Sequence, residues 1–169
     1  MSENTPLPIV YNVNNSSNSV SILQFYRNAT NDTGISLIVN SGSQQLLPNG
    51  SFNLTSTVGG MVSFKNQTTA VINKTGQYIH EATIQCYSTL PETGTIAVDI
   101  INENKDSISA DAISTKNITP NSAEIINLTT LQSHQAGDEL QLRFGGGVVP
   151  GGGNLTVNIL SIKWIILEK

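Results

Sequence analysis

The sequence contains two histidines and one cysteine, the side chains that most often act as general base or nucleophile near neutral pH. His80 lies in an alternating apolar segment, where we expect a hydrogen-bonded histidine of a core or an interface. His134 precedes Asp138 in a segment that we interpret as a solvated loop, and no Gly-x-Ser-x-Gly motif accompanies it. Cys86 has no basic neighbour in sequence, so we expect a buried structural thiol. The sequence therefore predicts neither a catalytic site nor an enzyme.

Candidate metal ligands are equally sparse. Two histidines and one cysteine cannot supply a zinc site of ordinary ligand number and spacing. Several carboxylates lie in or near predicted turns, but no Asp-x-Asp-x-Asp-Gly loop contains them, and we interpret them as surface charges. They are Asp99, Asp106, Asp111, Asp138 and Glu139. We expect no cofactor and no metal.

The glycine-rich segment 145–153 has the composition of a phosphate-binding loop but lacks the flanking elements of one. That mechanism needs a helix N-terminus after the glycines, whereas a strand pattern follows here and no Lys-Ser/Thr closes the segment. We predict a hairpin connection instead. With a net charge of −4, the sequence does not predict a basic surface that would bind nucleic acid. With four tyrosines and one tryptophan, it shows no obvious group of exposed aromatic rings for binding a carbohydrate.

The elements that carry these residues are predicted to be strands. Only 12% of the 169 residues are charged, and Asn, Ser, Thr and Gly supply much of the polarity. No window keeps a helical apolar period for three turns, while short alternating segments are separated by turn residues. This pattern predicts an all-β, antiparallel jelly-roll sandwich. The predicted strands are Val20–Arg27, Gly34–Val39, Ser51–Ser56, Met61–Lys65, Ala70–Asn73, Gly76–Tyr87, Gly94–Asn102, Ser107–Ile113, Ala123–Leu131, Glu139–Phe144 and Leu155–Leu167.

The first nineteen residues differ from the rest, so we divide the chain into an extended N-terminal arm with a flexible spacer, 1–19, and a head domain, 20–169. Two prolines in the arm oppose a central strand. One hypothesis is a tail or an edge strand of its own domain; the other is a connector that docks on a neighbouring subunit by strand addition. We expect no signal peptide and no membrane insertion. The apolar positions of the arm are Leu7, Ile9, Tyr11 and Val13.

The chain closes with its most apolar segment, in which the alternating phase slips by one residue after Ile159. Because Ile165 and Leu167 make the second face apolar as well, we expect this strand to be covered on both sides, with a partner subunit on one of them. The segment 78–87 likewise has one mostly apolar face beside a mixed face. An intersubunit disulfide through Cys86 is an open alternative if three copies meet on an axis. The residues predicted for a trimer interface or core are Tyr78, His80, Leu160, Ile162, Trp164 and Ile166.

Three landmarks suggest a family: Thr75-Gly76-Gln77-Tyr78 opening a long strand, Gly137-Asp138 opening an alternating strand, and the apolar closing strand. Together they resemble the superfamily of tumour-necrosis-factor heads and complement globular heads. Within this superfamily, the sequence most resembles the C-terminal heads of bacterial collagen-like spore-surface glycoproteins and the heads of phage fibres. The resemblance implies a compact homotrimer with a non-enzymatic role in attachment or surface architecture, and some relatives hold calcium at the trimer apex. No Gly-x-y collagen run precedes the head.

The leading hypothesis for function is a structural subunit that self-assembles as trimers into a bacterial spore-surface fibre or layer, with the arm linking neighbouring trimers. The alternative is a phage or virus fibre head or a capsid decoration protein, and a second alternative is a soluble lectin-like module. The expected location is the external surface of a spore, cell or virion. The expected partners are other copies of the chain and either further surface-structure proteins or a receptor.

Overall fold

The computed structural model describes residues 20–26, 34–40, 42, 44–88, 93–105, 107–108, 113–146 and 154–169. The predicted arm, 1–19, and most of the predicted glycine hairpin, 147–153, lie outside these residues. Within the described ranges all regular structure is β, and no helix is long and apolar enough to cross a membrane.

Thirteen strands follow one another along the described chain. They are β1 (Val20–Tyr26), β2 (Ile35–Asn40), β3 (Gln44–Leu46), β4 (Leu54–Val58), β5 (Val62–Lys65), β6 (Thr69–Ile72), β7 (Gly76–Tyr87), β8 (Gly94–Asn102), β9 (Ser107–Ile108), β10 (Ser114–Ile118), β11 (Ala123–His134), β12 (Glu139–Gly146) and β13 (Asn154–Glu168).

These strands form two sheets, and the named strands pair antiparallel throughout. The six-stranded sheet has the order β11-β7-β13-β1-β4, with β2 also paired to β13. The seven-stranded sheet has the order β10-β8-β12-β6-β5, with β3 on β12 and β9 on β8. Because β7, β11 and β13 lie side by side although they are distant in sequence, the chain crosses repeatedly between the sheets. The predicted all-β antiparallel sandwich is confirmed.

The strand predictions are wrong in four places. The predicted strand Ser51–Ser56 is observed as β4 at Leu54–Val58, so that Ser51–Asn53 belong to the preceding loop. The strand β10 (Ser114–Ile118), which pairs with β8, was not predicted. Of the predicted strand Ser107–Ile113 the structure describes Ser107–Ile108, which form β9, and Ile113, which lies outside any strand. The short strand β3 carried no apolar alternation and was not predicted. The predicted strand Ala123–Leu131 continues to His134, because its whole length pairs with β7.

The slip of apolar phase in the closing strand corresponds to an irregularity in the ladder. Opposite β7, the register of β13 shifts between Ile159 and Ser161, and Leu160 lies in that step. An extra residue on one strand reverses the faces of all the residues after it. Ile159 and Leu160 are therefore both buried, and the inward set continues at Ile162 and Trp164.

The core fills the space between the two sheets. Its largest fully buried side chains include Trp164 and Tyr78 from the six-stranded sheet and Phe144 from the opposite one, with Phe52 from a connecting loop. Alternate residues of each long strand point inward, as in any half-buried strand. The intervening residues of β7 and β11 face away from the core, so the outer face of the six-stranded sheet is available for contacts.

Candidate functional site

The two histidines meet inside the sandwich. The Nε2 atoms of His80 on β7 and His134 on β11 lie 2.9 Å apart, and their rings pack edge to face. Both side chains are buried, so the prediction that His134 lies in a solvated loop is wrong. It belongs to the inward set of β11 together with Leu128 and Thr130, because the strand is longer than its apolar pattern suggested. His80 is buried as predicted, but within the described chain only its Nε2 atom is hydrogen-bonded, so its hydrogen-bonding capacity is not fully satisfied.

The histidine pair borders an ion pair between the buried Asp138 and the exposed Lys105. The Oδ2 atom of Asp138 accepts hydrogen bonds from Lys105 Nζ and from the backbone N–H of Gln135, each at 2.9 Å. The same atom lies 3.6 Å from His134 Nδ1. Burial lowers the pKa of His134, and Asp138 offsets this only in part. Burial, helped by His134, lowers the pKa of His80 to about 3. Both imidazoles are therefore neutral at pH 7.

The arrangement lacks the parts of a nucleophilic site. Ser133 lines a cavity of about 290 Å³ beside His134 but makes no hydrogen bond to either histidine in the described chain. Cys86 is fully buried in the core, and burial raises the pKa of its thiol to about 12, which confirms the predicted structural thiol. The Nδ1 atom of His80 and the Nε1 atom of Trp164 make no hydrogen bond to any described residue.

Three of the five carboxylates considered as metal ligands are occupied by cations of the chain. Asp99 accepts two hydrogen bonds from Arg143, Asp138 pairs with Lys105, and Glu139 pairs with Lys65. No three His, Cys, Asp or Glu side chains of the described ranges cluster as a metal site would require. The other two carboxylates, Asp106 and Asp111, lie outside the described residues.

The residues predicted for an interface or core are all buried within the single chain. Tyr78, His80, Ile162, Trp164 and Ile166 are at most 1% exposed, and Leu160 lies at the register shift with 9% exposed. The Tyr78 hydroxyl donates a hydrogen bond to the Lys74 carbonyl oxygen at 2.6 Å. Tyr78, Ile162, Trp164 and Ile166 belong to the hydrophobic core of the single chain, whereas Leu160 is buried at the register shift outside that cluster. The predicted arm residues Leu7, Ile9, Tyr11 and Val13 lie outside the described residues.

The outer side of the same sheet carries an apolar row that crosses five neighbouring strands. Each member is the direct cross-strand partner of the next, as the registers of the four strand pairs show. The two ends of the row are 60% and 48% exposed, and the three central side chains are partly exposed. In order across the sheet, the apolar row consists of Val58, Val20, Leu167, Ile79 and Leu131.

The next row along the strands extends this surface. Ile22 on β1 is opposite Ile165 on β13, and Ile165 is in turn opposite Glu81 on β7. Lys163 follows two positions further along β13, on the same face. We call the apolar row together with Ile22, Ile165, Glu81 and Lys163 the outer sheet face. A contiguous exposed apolar surface with few charges is typical of a protein–protein contact.

The sequence pointed to this face only partly. Ile165 and Leu167 were recognised as a second apolar face of the closing strand, and the structure leaves both partly exposed. Val58, Ile79 and Leu131 lie in mixed segments whose individual patterns are unremarkable. The apolar row can be recognised only when the registers of four strand pairs are known, and no single segment of the sequence determines those registers.

No protein-family model matches the chain, and no curated protein matches it significantly. Among solved structures the chain is similar to murine APRIL, with a TM-score of 0.53 at 9% identity over 89% of this chain and 99% of that one. It is also similar to Eiger TNF from S. frugiperda, with a TM-score of 0.51 at 9% identity over 88% and 91% of the two chains. These likenesses show the fold, which is a tumour-necrosis-factor-like jelly roll.

Proposed function

We propose that this protein is a non-enzymatic jelly-roll subunit that assembles through the outer sheet face into homotrimers. The observation that carries the proposal is the apolar row, in which five aliphatic side chains align across the sheet and remain at least partly open to solvent. Their burial against another copy would remove this surface from water. The number of copies rests on the resemblance to trimeric heads.

The setting that we propose is the external surface of a bacterial spore or cell, where trimers form a fibre or layer. The low charge content and the abundance of Asn, Ser and Thr support a surface structure built from neutral hydrogen-bonding residues. The arm, 1–19, serves as the connector between trimers, since its apolar residues precede a polar spacer that joins β1 directly. A fibre head of a phage or virus is the second candidate, favoured by the same combination of fold and composition.

A pair of matched variants tests the role of the face. Leu131→Lys places a charge at one end of the apolar row, whereas Leu46→Lys places the same charge on β3 of the opposite sheet, where Leu46 is similarly exposed at 39%. We expect the first variant to weaken assembly by at least about tenfold in dissociation constant. The second should assemble as the unmodified chain does. Sedimentation velocity over a dilution series measures both, and thermal unfolding verifies that each variant is folded.

Equal assembly by the two variants would refute the outer sheet face as the contact. Deletion of residues 1–18 tests the connector separately. The truncated chain should still form trimers but should lose the ordered fibres or stacked particles that electron microscopy is expected to show for the full chain. If the truncated chain builds the same higher-order species, the arm is not the connector.

A further inference from the structure

The outer sheet face contains two charged side chains that have no ionic partner within the described chain. Of the seven Lys and Arg residues in the described ranges, five form ion pairs: Lys65, Lys74, Lys105, Lys116 and Arg143. Lys163 is exposed and forms none, and neither does the exposed Glu81. The only other described basic side chain without a partner belongs to Lys169, at the end of the chain.

These two charges are placed among the residues expected to be buried by assembly. Glu81 is the cross-strand partner of Ile165 and of Thr129, and Lys163 lies between Gln24 and Thr83 on the neighbouring strands. They are thus offset by two residues on adjacent strands, close to the apolar row. A charge that enters an interface without a partner opposes association, because it loses its hydration without compensation.

We propose that Glu81 of one copy forms an ion pair with Lys163 of the next copy, an inference that rests on the proposed function. Each copy carries both charges on one face, so identical copies arranged around a rotation axis can satisfy every charge in a closed ring. A register that brings like charges together, or that buries either charge without a partner, disfavours assembly. The pair therefore fixes which register the largely apolar face adopts. The occupant of the face is a second copy of this chain.

Cysteine cross-linking tests the contact between chains directly. The Glu81→Cys and Lys163→Cys variants, of which one carries a mass tag, are mixed, allowed to exchange subunits and oxidised. We expect a covalent dimer that contains one chain of each variant, identified by mass spectrometry. A mixture of the Glu81→Cys and Lys65→Cys variants is the control, because Lys65 lies on the opposite sheet, and it should give no such dimer. Cys86 is buried and does not compete in the folded chain.

Charge exchange tests the energetic role. Glu81→Lys and Lys163→Glu should each weaken assembly by at least about tenfold, and the double variant should return to within about threefold of the unmodified chain. The inference is overturned if the unmodified protein is trimeric but the mixed cross-link is absent, or if the double variant fails to recover. A protein that stays monomeric at all concentrations would instead overturn the proposed function itself.

Discussion

The Nε2 atoms of His80 and His134 lie 2.9 Å apart between the two sheets, a contact that joins β7 to β11 from the core side. One imidazole must donate and the other accept, so the contact requires at least one neutral ring. The Tyr78 ring packs at a tilt against His134 and the Trp164 ring at a tilt against His80. Asp138 lies beside His134 and forms an ion pair with Lys105. Protonation of both rings would bring two N–H donors into one buried contact.

The fold should therefore begin to lose stability at a higher pH than protonation of its carboxylates alone would cause. The pKa of each histidine is lower in the folded chain than the 6.5 of a free imidazole, so the unfolded chain binds protons first. The stabilisation by the neutral pair is complete above pH 6.5 and is lost as pH falls below it. Each histidine should contribute a slope of up to about 1.4 kcal/mol per pH unit. Urea unfolding between pH 7.5 and pH 5 measures this slope.

The matched variant is His80→Gln, whose amide can bond to His134 without titrating. It should reduce the slope between pH 6.5 and pH 5, whatever it does to stability at pH 7, because only His134 of the pair still titrates. Asp138 loses its own contribution only at lower pH, since its folded pKa is also lowered: burial would raise it, but the Gln135 amide and Lys105 outweigh burial. An unchanged slope in the variant would show that the histidine pair is not the source.

The junction between β2 and β13 depends on one glycine. Gly34 has a φ of +80°, and a Cβ atom there would lie 2.1 Å from the Ile159 carbonyl oxygen. Gly42 has a φ of +81° but meets no atom within 4 Å of the same position. We expect Gly34→Ala to cost at least about 3 kcal/mol of unfolding free energy and Gly42→Ala about 1 kcal/mol. Similar losses in chemical denaturation would contradict the close approach.

The ion pair between Arg143 and Asp99, on the outer side of the seven-stranded sheet, should contribute more to the free energy of unfolding than an exposed ion pair does. Arg143 bonds to both carboxylate oxygens of Asp99, at 3.0 Å and 2.6 Å, and the two side chains are only 12% and 11% exposed. Arg143→Met leaves Asp99 buried without a partner and should cost about 3 kcal/mol. Lys65→Met breaks an ion pair whose lysine is 53% exposed and should have little effect. Calorimetric unfolding of both variants provides the comparison.

The single thiol should report on unfolding. Because Cys86 is buried and the pKa of its thiol is raised, Ellman's reagent should label the native protein only as fast as it unfolds. Labelling should become rapid in denaturant. Rapid labelling under native conditions would show that the strand β7 opens locally and that the core is looser there than the structure indicates.

The parts of the fold that could be predicted from sequence are those whose pattern is local. The strands β7 and β8 were predicted with their observed bounds, because long alternation and flanking turn residues define them. The register shift in β13 was visible as a change of apolar phase. The strand β3 was missed because only three of its residues pair. The strand β10 was missed because its residues Ser114–Ile118 are mostly polar and show no apolar alternation.

The site was harder to predict because it is built from pairings between distant segments. His80 and His134 are 54 positions apart, and only the extension of β11 beyond Leu131 turns His134 towards the core. The apolar row depends in the same way on four registers that no segment determines alone. Glu81 and Lys163 read individually as ordinary surface charges, and their isolation becomes evident only when every other ion pair is located.

The central claim is that copies of this chain associate through the outer sheet face, and sedimentation equilibrium of the unmodified protein tests it most directly. Over a range of concentrations from below micromolar to about 100 µM, the mass should reach three times the 18.0 kDa of one chain. The mass of Leu131→Lys should stay closer to that of one chain over the same range. A single-chain mass at every concentration of the unmodified protein would contradict the account.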